Sequence, residues 1–230
     1  DNMMYHMCRR GRSVGYFSLE MDSGENDDRW ISMDSDVNTM KLYAEPGPDK
    51  TEWQRIIKSA EKQSDWRLFI DDTGGLKIGE IKRRARQMVR AGAEIIFIDQ
   101  LSKIGGKRNL SRFDRNSEHV EELSFLKKEL RIPIVLLAQL NRKLEERSSK
   151  KPILSDLKNT GQLEEDADIV LLGYRPGMYE ENEQPDPEPA EWEIAKNRQG
   201  ALRTIPMLFN RSRVKFWEQE RIHTNYQDRD

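Results

Sequence analysis

Apolar residues along the chain fall into short continuous runs and longer stretches with helical spacing. The sharpest run is Ile95-Ile96-Phe97-Ile98, entered through Glu94 and ended by Asp99. Consecutive apolar residues rich in β-branched types suit a strand covered on both faces, as in a parallel sheet. Runs over 13–19, 66–70, 132–138 and 168–172 predict four more strands. Helical spacing predicts the end of a helix over 1–10, with Met3, Met4 and Met7 as core packing and Gly11 as its stop. It also predicts helices over 23–33, capped by Ser23, and over 51–62, with Trp53, Ile56, Ile57 and Ala60 on one side. Ile78, Ile81, Ala85, Met88 and Val89 mark a helix over 76–89, and Val120, Leu123, Leu126 and Leu130 mark one over 117–130. A short acidic helix is expected over 162–166. Strands alternating with helices indicate an α/β fold with a largely parallel sheet and right-handed crossovers. Three further segments, 191–195, 204–208 and 214–217, are separated by turns at Arg198-Gln199-Gly200 and Asn210-Arg211 and predict antiparallel strands at one edge.

The connecting segments carry their own signals. Residues 105–114 form a basic, glycine-containing loop of a composition that favours mobility, with Lys103, Lys107, Arg108 and Arg112 in and beside it. Residues 143–151 read as a charged loop and 155–161 as a polar turn. Residues 180–189, acidic and with three prolines, are expected to be a surface excursion. No internal repeat is present, and a single domain over 1–230 is expected.

Composition narrows the possibilities. Lys+Arg is 39 and Asp+Glu is 41, a net charge of −2, so any nucleic-acid contact has to come from local groups rather than a basic surface. The basic residues of the 76–89 helix, among them Lys82, Arg83, Arg84 and Arg86, are expected to be a solvated face. Cys8 is the single cysteine, which excludes an intrachain disulfide framework and fits a reducing compartment. No apolar run approaches the roughly 20 residues of a membrane span. Charged residues make up 35% and apolar residues 36%, a wet surface around a modest core or a protomer that shares burial with neighbours.

Three predicted strands end in polar groups: Glu20, Asp99 and Gln139. Ligands of open parallel sheets bind outside the carboxyl ends of the strands. An acid there holds Mg²⁺ in nucleotide-hydrolysing sheets. Asp99 alone is equally well a solvated strand-end carboxylate; three polar groups at one edge favour a site. Asp71 and Asp72 end another strand, where turn acids are the commoner reading.

The order of motifs adds a resemblance. Phe17-Ser18-Leu19-Glu20-Met21, Ile96-Phe97-Ile98-Asp99, Leu137-Ala138-Gln139-Leu140-Asn141-Arg142, Ser155-Asp156-Leu157-Lys158, Glu165-Asp166-Ala167-Asp168 and Lys196-Asn197-Arg198-Gln199-Gly200 resemble the C-terminal RecA-like motor domain of DnaB-type replicative helicases. Each motif is weak alone; six in order are specific, and the similarity runs to about Trp217. Divergence over 22–48 and in the acidic excursion fits a phage- or plasmid-encoded relative.

The resemblance implies a RecA-like P-loop ATPase core, ATP with Mg²⁺, and roles for particular residues. Glu20 resembles the glutamate that polarises the attacking water, Asp99 the acid on Mg²⁺, and Gln139 the sensor linking the γ-phosphate to the DNA-binding loops. Arg198 resembles an arginine finger supplied across a subunit interface, with Lys196 beside it. Lys158, Asn159 and Gly161 match the loop that tracks the phosphates of one DNA strand. The family usually has Arg-Glu-Ser-Gly there, where this chain has Lys158-Asn159-Thr160-Gly161. That keeps backbone contacts to phosphate and loses a bidentate side-chain one. The implied partners are single-stranded DNA, five further copies in a homo-hexamer, a helicase loader and primase, in the cytoplasm of a bacterial or phage-infected cell and away from membranes. The family's G-x-x-x-x-G-K-[ST] loop, which should precede the first helix, is missing, as is the N-terminal primase-interacting domain. A fragment that omits the loop is expected, inactive on its own. Two other readings stand beside the helicase motor: a RadA- or KaiC-like ATPase, and a degenerate assembly or loader-binding module that keeps the fold without the chemistry.

Overall fold

The computed structural model describes residues 1–106, 109–160, 162–180 and 182–218, with the backbone alone at 142 and 158–160. Its centre is a four-stranded parallel sheet of β1 (Val14–Ser18), β2 (Leu68–Asp71), β3 (Ile95–Asp99) and β4 (Ile134–Leu136), in the order β2-β1-β3-β4. Alternate residues of β1 and β3 enter two separate cores, which is why both strands read as unbroken apolar runs. Phe17, Ile96 and Ile98 pack with Ile81, Ala85 and Met88 of α4 (Ile78–Arg90) and Leu123 and Leu126 of α5 (Arg112–Leu130). On the other face, Val14, Tyr16, Ile95 and Phe97 meet Met4, Tyr5 and Cys8 of α1 (Asn2–Arg9) and Trp30 and Met33 of α2 (Ser23–Ser35). Of the three methionines expected in the core, Met4 is buried and Met7 packs against it, while Met3 is 46% exposed. Gly11, at φ +73°, ends the first helical segment as its sequence position predicts.

The antiparallel strands form a sheet of their own. β5 (Ile169–Tyr174), β6 (Glu188–Asn197), β7 (Arg203–Asn210) and β8 (Lys215–Glu218) pair in that order. The strand predicted over 168–172 is therefore β5 of this second sheet. One end of the sheet is seated on α6 (Leu163–Asp166) through Val170, Leu172, Leu163 and Ala167. The other end is tied to the first helices. The Asn2 side chain donates to Val214 O at 2.9 Å and accepts from Phe216 N at 2.8 Å. Arg213 pairs with Asp36 at 2.8 Å, and Lys215 donates to Met33 O at 2.9 Å.

Four local expectations need correction. The cap of α2 is Asp22, whose side chain accepts from Glu25 N at 2.9 Å, rather than Ser23, because only the residue before the first helical one can reach that N–H. α3 (Lys50–Ser64) buries Ile56 and Ser59 and leaves Trp53 and Ile57 about half exposed, with Ala60 exposed too. The helix touches the rest of the chain along one edge, and its widest apolar stripe faces outward. α5 begins at Arg112 on a Ser111 cap, so the last three residues of the predicted basic loop belong to the helix's first turn, whose one apolar side chain, Phe113, is exposed and outside the apolar face that periodicity reads. β6 begins inside the predicted excursion, at Glu188. That carboxylate is 1% exposed, accepts from Arg175 Nε at 2.7 Å and from Arg211 at 3.1 Å, and enters the fold as a paired charge.

Gly15 sits where β1 crosses under α4. A Cβ there would lie 2.5 Å from Ile96 Cδ1 and 3.0 Å from Met88 Sδ. Gly15→Ala is therefore expected to lower the unfolding free energy by about 1–3 kcal/mol, the usual cost of overpacking a filled core. Denaturant unfolding measures it, and an unchanged midpoint would contradict the packing described.

Candidate active site

The site is built by strand register. β1 and β3 run parallel with Ser18 opposite Asp99, and Leu19 N donates to Asp99 O at 2.8 Å. Glu20 leaves the sheet two residues past the β1 end, beside Asp99. β4 is hooked to the same edge by Leu137 N to Ile98 O at 3.0 Å and Leu101 N to Leu137 O at 2.9 Å. Gln139 follows two residues later and is exposed. Glu20, Asp99 and Gln139 thus leave neighbouring strands at one sheet edge.

Asp99 is half-buried. Burial pushes its carboxyl above the usual carboxylate range, and the charge of Glu20 adds to the upward push. The hydrogen bond it accepts from Tyr16 OH is a long one, at 3.5 Å. Tyr16 OH also approaches Asn26 Oδ1 at 3.4 Å, Asn26 Nδ2 donates to Ser18 Oγ at 2.9 Å, and Ser18 Oγ donates to Met21 O at 2.6 Å. A polar ladder under the strand end thereby leads from Asp99 to the Met21 carbonyl. The peptide between Asp99 and Gln100 is cis.

The oxygens of Asp99 fit a hard divalent cation such as Mg²⁺, which needs few protein ligands when phosphates and waters supply the rest. Among the described residues no group of three or more His, Cys, Asp or Glu could form an all-protein metal cage. Asp71 is taken by Arg84, at 2.6 and 2.8 Å, and Asp72 accepts from Ser23 N at 3.1 Å, so both serve as structural acids.

Glu20 is exposed, yet both of its oxygens are engaged. Gln100 Nε2 donates to Oε2, and Lys103 Nζ lies 3.1 Å from Oε1. These contacts, the Gln100 hydrogen bond first, hold the Glu20 pKa below the usual value. Sequence reading did not assign Gln100. Its one visible signal was a polar side chain directly after a buried strand.

Lys196 and Arg198 lie elsewhere. Lys196 Nζ donates to Glu165 O at 3.0 Å and also to Glu164 O, both carbonyls of α6. Arg198 Nη2 donates to Glu165 O at 2.7 Å, and its Nη1 pairs with Asp168 at 3.2 Å. Asp168 also accepts from Lys127 of α5 at 2.6 Å. Neither cation is joined to Glu20 or Asp99 by any of these contacts. Gly161 lies outside the described residues, as do the side chains of Lys158 and Asn159; the backbone of the latter two belongs to a 3-10 segment, Leu154–Thr160. Three basic residues of α4 are paired with acids, Lys82 with Glu122, Arg84 with Asp71 and Arg86 with Glu129, in keeping with a solvated structural face. No helix among the described residues is long and apolar enough to cross a membrane.

Against known proteins, residues 1–218 match the family described as DnaB-like helicase C terminal domain. The replicative DNA helicase DnaB of Rickettsia felis is 37% identical over 229 residues, covering 91% of this chain and 46% of the relative. The replicative DNA helicase DnaC of Bacillus subtilis is 32% identical over 212 residues, covering 91% and 46%. The chain thus spans about half the length of these curated relatives. Among solved structures, one described as an ATPase domain superposes with a TM-score of 0.87 at 32% identity, covering 94% of this chain and 78% of that one. A DnaB-like replicative helicase, described with its interactions with primase, superposes with a TM-score of 0.87 at 31% identity, covering 94% and 54%.

The raised pKa of Asp99 has a consequence for stability. Between the ordinary carboxylate pKa and the raised one, the folded chain holds a proton the unfolded chain has lost, so this group's contribution to stability falls as pH rises through that window. Asp99→Asn removes the buried charge. It is expected to raise the metal-free unfolding free energy at neutral pH by about 0.5–2 kcal/mol. Denaturant unfolding without Mg²⁺ measures it; a less stable variant would contradict the account.

Proposed function

The chain belongs to the DnaB-like helicase C-terminal domain family, and from that premise we propose that it is the motor part of a replicative DNA helicase, coupling ATP hydrolysis to movement on single-stranded DNA and duplex unwinding. The observation that carries the reading is the pair Glu20 and Asp99, set side by side by parallel register at the carboxyl ends of adjacent strands. In this reading Asp99 holds Mg²⁺, which supplies charge neutralisation on the phosphates when bound. Glu20 orients the attacking water and takes up its proton, because it is the acid at that edge with access to solvent. Gln139, an exposed amide at the same edge, can accept from water and donate to a phosphate oxygen, as a sensor requires. The segment with Lys158, Asn159 and Gly161 follows one DNA strand by its phosphates.

Arg198 and Lys196 act in trans. Their place on α6 and the second sheet sets them apart from their own strand ends, and half of the Arg198 side chain is open to an approaching partner. A head-to-tail ring, a homo-hexamer, brings that turn to the next subunit's nucleotide, where a guanidinium stabilises charge developing on the transferred phosphoryl group. A helicase loader and primase complete the partners in this reading, and the cell compartment is the cytoplasm.

The test uses full-length protein carrying a phosphate-binding loop. Glu20→Gln is expected to bind ATP and lose hydrolysis by roughly 10²–10⁴-fold; near-normal turnover would remove Glu20 from its role. Arg198→Ala is expected to lose about 10³–10⁵-fold. Rings mixed from the two variants should regain activity at interfaces where an intact Arg198 faces an intact Glu20. Confirmed mixed rings showing only the sum of the two residual activities would exclude action in trans.

A further inference from the structure

The water-activating residue of this reading is held down by its own chain. Gln100 and Lys103, both from the segment after β3, occupy one Glu20 oxygen each. Gln100 is 7% exposed, and its own Oε1 accepts from Ser102 Oγ at 3.2 Å, which fixes the amide. Lys103 N donates to Gln100 O at 3.0 Å in the one-turn segment Leu101–Lys103. The backbone just beyond is anchored, since Gly105 N donates to Leu76 O at 2.8 Å and a Cβ at Gly105 would lie 2.6 Å from Gly75 O. The Lys103 backbone is therefore fixed beside the strand end, and only its long side chain is free to change partner. A carboxylate paired with an ammonium is a poorer base and points at the protein instead of at a water.

Two features say what would break the pair. The Lys103 side chain is 44% exposed and that of Glu20 42%, so the contact is wet, weak and screened by salt. Lys103 also opens a basic stretch of sequence that includes Arg112 and Arg115. A nucleic-acid backbone offers such a stretch a dense row of phosphates and the entropy of released counterions, against which one solvated carboxylate competes poorly.

We propose that Lys103, with Gln100, is a restraining pair on Glu20, and that single-stranded DNA releases the restraint by drawing the Lys103 ammonium onto a phosphate. Hydrolysis then waits for DNA through one ion-pair exchange at the strand end. Gln100 stays behind as a neutral donor that keeps the freed carboxylate oriented. Lys103 and Gln100 are positioning residues here, acting through Glu20. The inference rests on the hydrolase reading above.

The experiment is ATP turnover by the full-length protein with and without a poly-dT oligonucleotide. Wild type is expected to be stimulated by the oligonucleotide. Lys103→Met keeps most of the side chain's length and removes its charge. Its DNA-free kcat should rise about 3- to 10-fold, a small part of what a positioned base supplies, with KM for ATP unchanged. Lys103→Arg should retain the wild-type stimulation ratio. Adding Glu20→Gln to Lys103→Met should abolish the raised turnover. A DNA-free kcat that is unchanged or lower in Lys103→Met overturns the proposal, as does raised turnover that survives loss of Glu20; damage to the fold would not raise a rate. Glu20-dependent hydrolysis indifferent to DNA in the wild type defeats the restraint alone. Absence of Glu20-dependent hydrolysis under both conditions defeats the hydrolase reading itself.

Discussion

The parallel pairing of β1 with β3 is the constraint on which the rest depends. Ser18 lies opposite Asp99, and the next N–H, that of Leu19, closes on Asp99 O at 2.8 Å. Because the strands are parallel, their carboxyl ends coincide. Because both faces of each strand are buried, a slip of one residue would turn the α4-facing set toward α1 and α2 and the reverse. The register is thus protected by two cores at once, and the proximity of Glu20 and Asp99 is protected with it. Tyr16, Asn26 and Ser18 continue the same logic beneath the strand ends, where a short polar ladder fills the space that apolar side chains leave.

The cationic side chains of the reading belong to a different piece of architecture. Lys196 and Arg198 ride on the second sheet and are seated on α6 carbonyls and Asp168, while Asp168 is shared with Lys127 of α5. That sheet has two attachments: an apolar one at α6 and a polar one at the first helices, where the Asn2 amide clips the backbone on both sides of Lys215. Buried Glu188 between Arg175 and Arg211 fixes where β6 begins. Movement of the second sheet would reach α1 directly through the Asn2 clip. In the proposed reading, acid groups at the parallel edge and basic groups on a separately seated sheet make the site depend on a neighbouring subunit.

Much of this was legible in the sequence where one physical cause dominates. Ile95 to Ile98, followed by a carboxylate, could be placed as a doubly covered strand because nothing polar interrupts it. Glu20 and Gln139 could be joined to Asp99 because strand ends converge in a parallel sheet whatever the details. Periodicity failed where the apolar face and the contacting face differ: α3 carries Trp53 and Ile57 outward and packs through Ile56 and Ser59. It failed again where polar residues begin an element, at Arg112 in α5 and at Glu188 in β6, since caps and ion pairs leave no hydrophobic trace. The engagement of Glu20 by Gln100 and Lys103 was out of reach for another reason: it brings together residues about 80 positions apart, and only coordinates show which acid a strand-end amide meets.

The central claim is that the Glu20 and Asp99 edge is where nucleotide is bound and cleaved. Its most direct test is a crystal structure of the full-length protein with ADP, aluminium fluoride and Mn²⁺ in place of Mg²⁺, read by anomalous scattering. The account predicts an anomalous peak at the carboxyl end of β3, held by Asp99 directly or through one water, with the Glu20 carboxylate facing the attacking water on the far side of the fluoride. A metal peak elsewhere in the fold, or a nucleotide bound away from this sheet edge, would contradict it.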